Sequence, residues 1–364
     1  MKIVKVRLGK KSYDIHIGKN AINKIPSILK ASVPDGPLFV VTNRKINKLH
    51  GKKLKKVLSR VSKRVLFCEV PASEKAKSFM VYMQTIKKLA KFSRKIKPLV
   101  IAFGGGVVGD LAGFVASAYR RGVPYIQVPT TLLAQVDSAV GGKVAIDIKE
   151  AKNIVGNFYQ PKAVLCDLRF LKTLPEKEIR NGLAEIVKYG IIKDEKLFSF
   201  LEKNLSSIVN LNDKALEYVV YRSCKIKAAV VEKDEYDVKD VRAILNFGHT
   251  FGHAIEAASA YSQAVKHGQA IAKGMTMASF LALKLNLLGK KDHARISSLV
   301  KKITTKTKSK EVKTKRVLEA IAYDKKFIYG VNRFILPKRI GCVKIVDRVP
   351  QGLIRKAIEE NIKK

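Results

Sequence analysis

The sequence predicts two domains of different class: an α/β N-terminal domain of the nucleotide-binding type over residues 1–171 and a mostly α-helical C-terminal domain over residues 172–364. The chain has 364 residues, 47% of them hydrophobic, which is too long for one core and suits two domains. Short apolar runs alternate with amphipathic helical segments up to about residue 170, a pattern typical of a mostly parallel sheet. Long helical patterns dominate from about residue 172 to residue 322.

The elements of the α/β domain can be placed from their patterns in chain order. Charged and apolar residues alternate over residues 1–6, which predicts a strand. Between residues 76 and 92 the pattern is that of an amphipathic helix. The remaining predicted strands are apolar runs rich in β-branched and aromatic residues, at residues 38–42, 64–70, 98–103 and 125–129.

The helical domain begins at Leu174-Pro175-Glu176, because proline is tolerated in the first turn of a helix and acidic residues favour its N-terminus. The Lys-, Thr- and Ser-rich stretch 301–316 predicts an exposed helix end or loop. Residues 333–337 predict a late strand. The domain is therefore expected to be helical with one short β element.

The formal net charge is +42, with 72 Lys and Arg against 30 Asp and Glu, which raises the possibility of a nucleic-acid partner. The basic residues are spread along the whole chain, no nucleic-acid-binding motif is present, and specific nucleic-acid binding is not expected. No run reaches the ~20 apolar residues of a membrane helix. Since no secretion signal is found either, we expect a cytoplasmic protein whose four scattered cysteines are buried, reduced thiols.

A glycine-rich turn, Gly104 to Asp110, follows an apolar strand and precedes a helix. Glycines at such a junction let the backbone approach a phosphate, and the helix N-terminus supplies N–H donors. The spacing differs from the G-x-G-x-x-G of dinucleotide-binding folds. The turn therefore indicates an anion at a βα junction, with a tight turn that binds nothing as the alternative.

Two histidines, His249 and His253, are four residues apart in a helical segment, so they share one face. His267 follows fourteen residues later, and Glu185 offers a carboxylate. Three protein ligands with an open position are the layout of a catalytic zinc site. The alternative is that these histidines only form hydrogen bonds. The other histidines (His16, His50 and His293) are expected at the surface.

The segment 129–143 combines hydroxyls, one carboxylate, a glycine pair and Lys143, and it is followed by Lys152-Asn153. Such side chains suit an anionic small molecule rich in oxygen. The alternative is that Lys143 and Lys152 are solvated surface charges in a lysine-rich chain.

Taken together, these segments resemble the 3-dehydroquinate synthase family, from Thr42-Asn43 to Asp324-Lys325-Lys326. The similarity is strongest over residues 103–192 and 242–254. The string from Gly104 to Gly113, the run from Pro129 to Lys143, the segment 158–161 and the segment 246–256 all occur in the family's order. The resemblance implies a metal- and NAD-dependent enzyme with NAD at a cleft, a catalytic metal on the helical domain, and a homodimer.

In that family, 3-deoxy-D-arabino-heptulosonate 7-phosphate is converted to 3-dehydroquinate and phosphate in the shikimate pathway. The resemblance implies that Zn²⁺ or Co²⁺ is held by Glu185, His249 and His267. His253 would transfer protons and would not be a ligand. Lys188 and Asp137 would act on substrate hydroxyls.

Further roles follow from the same resemblance. Lys227 and Arg242 would face the substrate carboxylate, and Arg121 would reach the substrate phosphate from a partner subunit. The phosphate would otherwise be held by Lys143, Asn153, Asn246 and either Lys325 or Lys326. The positions that match NAD contacts are Asn43, Glu74, Lys77, Gly105, Gly106, Val107, Asp110, Thr130, Thr131, Lys152, Phe170, Thr173 and Asn181.

The chain departs from the family pattern at three places. Gln269 stands where a glutamate is common, and Lys273 stands where an apolar residue is usual. The loop 234–240 lacks the usual arginine and glycine and is one residue longer, which leaves open how Lys227 lies relative to Arg242.

Three other functions remain open at the level of sequence. One is a sugar phosphate cyclase making an inosose or valiolone-type product, against which the pair Arg242 and Lys227 argues because it suits a carboxylate. Another is a metal-dependent polyol dehydrogenase, which has no need of phosphate-binding residues. The third is a basic nucleic-acid binder, against which the Glu-His-His set argues.

Overall fold

The computed structural model describes residues 1–32, 36–259, 266–304, 314–322 and 331–362. The chain divides into two compact units. The first comprises Met1–Pro175 and Leu211–Tyr236, and the second comprises Glu176–Asn210 and Asp237–Lys364.

Strands of the first unit are β1 (Lys2–Val6), β2 (Tyr13–Gly18), β3 (Leu38–Asn43), β4 (Val65–Val70), β5 (Leu99–Gly104), β6 (Tyr125–Pro129), β7 (Lys143–Ile146), β8 (Val155–Phe158) and β9 (Ala163–Asp167). Seven of them form one sheet in the order β1-β2-β9-β6-β5-β3-β4. The β1–β2 pair is antiparallel and the other pairs are parallel. β7 and β8 form a separate antiparallel hairpin.

Helices up to the first domain boundary are α1 (Ile25–Ser32), α2 (Arg44–Ile46), α3 (Lys52–Leu58), α4 (Phe79–Ser93) and α5 (Gly106–Ala118). Every residue of β5, β6 and β9 is buried. Central parallel strands that are covered on both faces have continuous apolar sequences, which is why the sequence pattern located β5 and β6. One core lies on the α1 and α3 face and the other lies on the α4 and α5 face.

The helices that follow are α6 (Glu176–Lys193), α7 (Glu195–Val209), α8 (Asp213–Lys233), α9 (His249–Ala258), α10 (His267–Lys284), α11 (Lys290–Ile303), α12 (Thr314–Ala322) and α13 (Gln351–Asn361). A hairpin of β10 (Arg333–Arg339) and β11 (Cys342–Asp347) joins the second unit. α10 packs against α6, α9, α11 and α13, so it is the centre of this unit. None of the described helices could cross a membrane.

The compact units differ from the predicted domains, 1–171 and 172–364, in one segment. Residues 211–236, which include α8, belong to the first unit. α8 packs against β1 and β2. An amphipathic pattern shows that a helix buries one face, but it does not show which core receives that face.

Two of the three histidines expected at the surface are buried. His16 is 9% exposed in the middle of β2, and His50 is 7% exposed. The His50 ring lies 4.9 Å from the ring of Phe170, and its Nε2 is 2.9 Å from the Thr173 hydroxyl. The expectation for these two residues was wrong because burial lowers the pKa of both rings, and an imidazole can be accommodated in a core in its neutral form. The cysteines are free, and all except the partly exposed Cys342 are buried.

Candidate functional site

Three helices of the second unit bring Glu185, His249 and His267 together. Their ligand atoms all lie within 4.8 Å of one another. His249 Nε2 is 3.6 Å and His267 Nε2 is 3.7 Å from the same atom, Glu185 Oε1. Tetrahedral ligands at bond lengths of about 2.0–2.1 Å lie roughly 3.3–3.4 Å apart. The three side chains therefore fit a zinc-type ion after small shifts.

Both histidine rings are turned so that Nε2 faces the carboxylate. His249 Nδ1 lies 3.1 Å from the carbonyl oxygen of Phe247, and His267 Nδ1 lies 3.3 Å from Glu256 Oε1. A proton on each Nδ1 would be donated to these oxygens, leaving each Nε2 lone pair for a metal. This outer arrangement is the one that metal-binding histidines use in proteins.

The backbone around the two histidines depends on glycine. Gly248, which precedes His249, has φ +78°, and a Cβ there would lie 2.7 Å from Met275 Cγ and 2.9 Å from the Met275 backbone nitrogen. Gly268, which follows His267, donates its N–H to Asn181 Oδ1 at 2.6 Å. The first turns of α9 and α10 are thus held close to α10 and α6, respectively.

His253 lies outside the ligand set. Its side chain is exposed, and its ring centre is 5.3 Å from that of His249 and 6.3 Å from that of His267. Lys188, by contrast, is 2% exposed and pairs with Glu185 Oε2. The structure therefore separates three inward ligand groups from one accessible imidazole beside them.

The two ligand histidines have opposite proton affinities. Burial, assisted by the charge of Lys188, lowers the pKa of His249 well below its usual value. Burial acts in the same direction on His267, but contacts with Glu185 and Glu256 outweigh it and raise the pKa of His267 to about 10. A metal would have to displace the His267 proton, so metal binding should release protons.

In the first unit, predicted NAD-binding residues line the carboxyl edge of the parallel sheet, where open α/β sheets bind ligands. Asn43 ends β3 and Glu74 follows β4. The others at this edge follow β5, β6 and β9, and they are Gly105, Gly106, Val107, Asp110, Thr130, Thr131, Phe170 and Thr173.

In the glycine-rich turn, the backbone lies so close to neighbouring side chains that little room is left for a Cβ atom. A Cβ on Gly105 would lie 3.2 Å from Thr131 Cγ2, and one on Gly106 would lie 2.9 Å from Ser138 Oγ. Gly105 caps α5 without a side-chain hydrogen bond. The first N–H groups of α5 therefore remain available to an anion, in keeping with the sequence interpretation.

Lys77 is the centre of a cluster that includes three other predicted residues. It is 2% exposed, and its Nζ lies 2.8 Å from Asp110 Oδ2, 3.8 Å from Asp147 Oδ1 and 4.0 Å from Glu74 Oε1. The Asn153 side chain accepts a further hydrogen bond from it. Burial raises the pKa of Asp110 to about 6 despite the opposing effect of Lys77.

Asp137 and Lys227, which the sequence assigned to different parts of the substrate, are partners in the first unit. Lys227 Nζ donates to Asp137 Oδ1 at 2.7 Å and to the Asp137 carbonyl oxygen at 2.6 Å. In the second unit, Arg242 is 5% exposed in the turn Val241–Asn246. Asp240, two residues before Arg242, pairs with Arg333 at 3.0 Å.

Several predicted residues are engaged elsewhere or lie apart. Asn43 caps the turn at Arg44–Ile46, and Phe170 is 1% exposed in the core, so only its backbone could contact a cofactor. Lys143 and Lys152 are exposed. Arg121 follows α5 and precedes β6, so it lies at the opposite edge of the sheet. Lys325 and Lys326 fall outside the described residues.

Two of the three departures from the family pattern, Lys273 and the loop 234–240, have local partners. Lys273 Nζ donates to the Ile362 carbonyl oxygen at 2.7 Å, at the C-terminal end of α13, where a cation is favourable. In the loop 234–240, Glu235 pairs with Lys11 at 3.2 Å. The Tyr236 ring packs edge-on against Phe158, with ring centres 5.6 Å apart.

Sequence reasoning missed Glu256, the Phe247 carbonyl and Asp147. Glu256 is seven residues after His249, and this spacing places both on one helix face, so the signal was present. Asp147 reaches Lys77 across seventy residues of chain, and no local pattern indicates that contact.

Comparisons with known proteins agree with this geometry. Residues 67–181 match the model of the 3-dehydroquinate synthase N-terminal domain, and residues 182–327 match that of the C-terminal domain. A 3-dehydroquinate synthase of Desulforamulus reducens is 42% identical over 353 residues, covering 97% of this chain and 98% of the relative.

Solved structures show the same fold. A 2-epi-5-epi-valiolone synthase from Streptomyces hygroscopicus, with NAD⁺ and Zn²⁺ bound, has a TM-score of 0.85 at 27% identity, covering 100% of this chain and 99% of that one. A 2-deoxy-scyllo-inosose synthase complexed with carbaglucose-6-phosphate, NAD⁺ and Co²⁺ has a TM-score of 0.90 at 24% identity, covering 99% of this chain and 100% of that one. The sequence relationship over nearly the whole length, together with the fold, shows that this chain belongs to the 3-dehydroquinate synthase family.

Proposed function

We propose that this chain catalyses the 3-dehydroquinate synthase reaction: it converts 3-deoxy-D-arabino-heptulosonate 7-phosphate to 3-dehydroquinate and phosphate in the shikimate pathway. It would be a carbon–oxygen lyase that eliminates phosphate. Beyond family membership, the observation that carries the proposal is the buried Glu185 with two histidine Nε2 atoms 3.6 and 3.7 Å from one of its oxygens.

Glu185, His249 and His267 would hold a divalent ion, Zn²⁺ or Co²⁺. When bound, the metal supplies a Lewis acid that polarises a substrate hydroxyl. A bound NAD would supply reversible hydride transfer at C5, so no net redox change would result. Both roles are consistent with the NAD⁺ and Zn²⁺ of the valiolone synthase structure.

The chain's own residues would move protons and orient the substrate. A C5 ketone makes the neighbouring C–H acidic, after which phosphate leaves, the ring opens and an intramolecular aldol closes the carbocycle. His253 suits the proton exchange because an imidazole can both accept and donate a proton, and its exposed ring lies beside the ligand set. Lys188 and Asp137 would bind substrate hydroxyls, each held by a partner, Glu185 and Lys227 respectively.

Arg242 and Lys227 would recognise the substrate carboxylate, because a planar guanidinium can donate two parallel hydrogen bonds to it. The phosphate would be bound by Lys143, Asn153, Asn246 and either Lys325 or Lys326. The cluster around Lys77 supports an NAD role for Glu74 and Asp110, whose oxygens can accept hydrogen bonds from hydroxyls. The remaining NAD positions proposed are those at the carboxyl edge of the sheet, together with Lys152 and Asn181.

A homodimer is part of the proposal. Arg121 lies at the edge of the sheet opposite the glycine turn, so a second chain offers a route by which it could reach the phosphate of a neighbouring site. A cytoplasmic location suits the four free cysteines.

The test is a comparison of two substrates. Phosphate release should be rapid with the heptulosonate phosphate and much slower with glucose 6-phosphate, which has no carboxylate for Arg242. If glucose 6-phosphate is cyclised as well or better, the chain is instead a cyclase of the inosose or valiolone type.

A further inference from the structure

Glu256 occupies a position that no role in the proposed chemistry uses. It lies in the third turn of α9, seven residues after His249 and three after His253. At 100° per residue these three side chains lie within about 60° of one another around the helix. One face of α9 therefore presents a ligand histidine, an accessible histidine and a carboxylate in succession.

The Glu256 carboxylate contacts one of the three proposed ligands, His267. Its Oε1 lies 3.3 Å from His267 Nδ1, the ring nitrogen remote from Glu185, and its side chain is 17% exposed. His267 is the first residue of α10, as His249 is of α9, so neither ring packs against a preceding turn of its own helix. The Glu256 carboxylate of α9 therefore contacts the ligand of α10 at the ring nitrogen that faces away from Glu185.

We propose that Glu256 is a positioning residue for the metal: by accepting the Nδ1 proton of His267, it orients the ring and keeps the Nε2 lone pair directed at the ion. This rests on the proposed metal centre and deepens it. The equivalent partner of His249 is a backbone carbonyl, which substitution cannot remove. Glu256 is therefore a side chain through which metal affinity can be changed without removing a ligand.

The experiment measures Co²⁺ affinity and the Co²⁺ absorption spectrum of the full chain after chelator treatment, without substrate or turnover. Glu256→Ala should weaken Co²⁺ binding by about 10–100-fold and shift the spectrum, as loss of an outer-shell partner does. Glu256→Gln should fall between wild type and alanine, because an amide oxygen still accepts the Nδ1 proton but carries no charge. His267→Ala gives the limit for a lost ligand.

Glu202→Ala is the matched control, because it removes a carboxylate of the same unit that pairs with Arg295 at 2.7 Å. It should leave affinity and spectrum at wild-type values. Co²⁺ binding by Glu256→Ala within about twofold of wild type, or an equal loss in Glu202→Ala, would overturn the inference. Should the alanine variant not fold, unchanged affinity and spectrum in Glu256→Gln would overturn it. Absence of Co²⁺ binding in wild type would instead remove the metal centre itself.

Discussion

The two units hold their buried charges in opposite ways. In the first, one ammonium group, Lys77, is surrounded by the carboxylates of Glu74, Asp110 and Asp147. In the second, one carboxylate, Glu185, is surrounded by Lys188 and two imidazoles. The first cluster is centred on a cation, whereas the second is centred on an anion whose imidazole neighbours can exchange protons for a metal.

This contrast suggests a division of labour. A fixed ammonium among carboxylates gives a rigid set of acceptors, suited to the hydroxyls of a nucleotide. Imidazoles around a carboxylate give a site whose charge changes with its ligand. Breaking each cluster should therefore have different consequences.

The largest effect is expected when the second cluster loses a ligand. His249→Ala should lower turnover by at least about a thousandfold, since Lewis-acid stabilisation is worth several kcal/mol and each 1.36 kcal/mol is tenfold in rate. Metal content, measured by elemental analysis, should fall with activity. A variant that keeps both would exclude His249 as a ligand.

His253→Ala separates proton transfer from metal binding. Metal content should stay at the wild-type level while turnover falls about 10²–10⁴-fold, the usual contribution of a general acid or base. If His253→Ala loses metal and His249→Ala retains it, the two histidines have been assigned in reverse.

Arg242→Ala tests whether the substrate carries a carboxylate. A hydrogen bond to a charged group is worth about 1.5–3 kcal/mol, so kcat/KM for the heptulosonate phosphate should fall by roughly 10–200-fold. The affinities for NAD and metal should be nearly unchanged. An unaltered kcat/KM would mean that Arg242 does not bind the substrate and has only a structural role in the turn Val241–Asn246.

The smallest effect concerns the first cluster and is seen in stability. The pKa of Asp110 is raised to about 6 from about 3.9 in an unfolded chain. The stability that the protonated Asp110 side chain contributes to the folded protein is thus present below pH 4 and is lost as the pH rises through 6. The unfolding free energy of Asp110→Asn, taken relative to that of wild type, should therefore rise by on the order of 1–2 kcal/mol from pH 4 to pH 7, after allowance for screening. The check is denaturant titration of both proteins at several pH values. A difference in unfolding free energy that does not change with pH would contradict the raised pKa of Asp110.

Sequence reasoning succeeded where chemistry is local. The central strands were visible because burial on both faces demands unbroken apolar runs. The glycine turn was visible because backbone must approach its surroundings there. Glu185, His249 and His267 are far apart in the chain; the resemblance to the family named them as one ligand set, and the structure brings them together.

It failed where partners are distant in the chain. Lys227 and Asp137 are ninety residues apart, and neither residue's surroundings in the sequence indicate the other. For the same reason the sequence did not indicate that α8 belongs to the first unit, because an amphipathic pattern does not show which core a helix packs against. Glu256 is different, since helical spacing from His249 could have identified it.

The most direct test of the central claim is phosphate release by chelator-treated enzyme, with NAD far below the substrate concentration. The enzyme should be inactive until Zn²⁺ or Co²⁺ is added, and it should then release phosphate in large excess over NAD without accumulating NADH. Full activity without metal, or NADH formed in step with product, would contradict the claim.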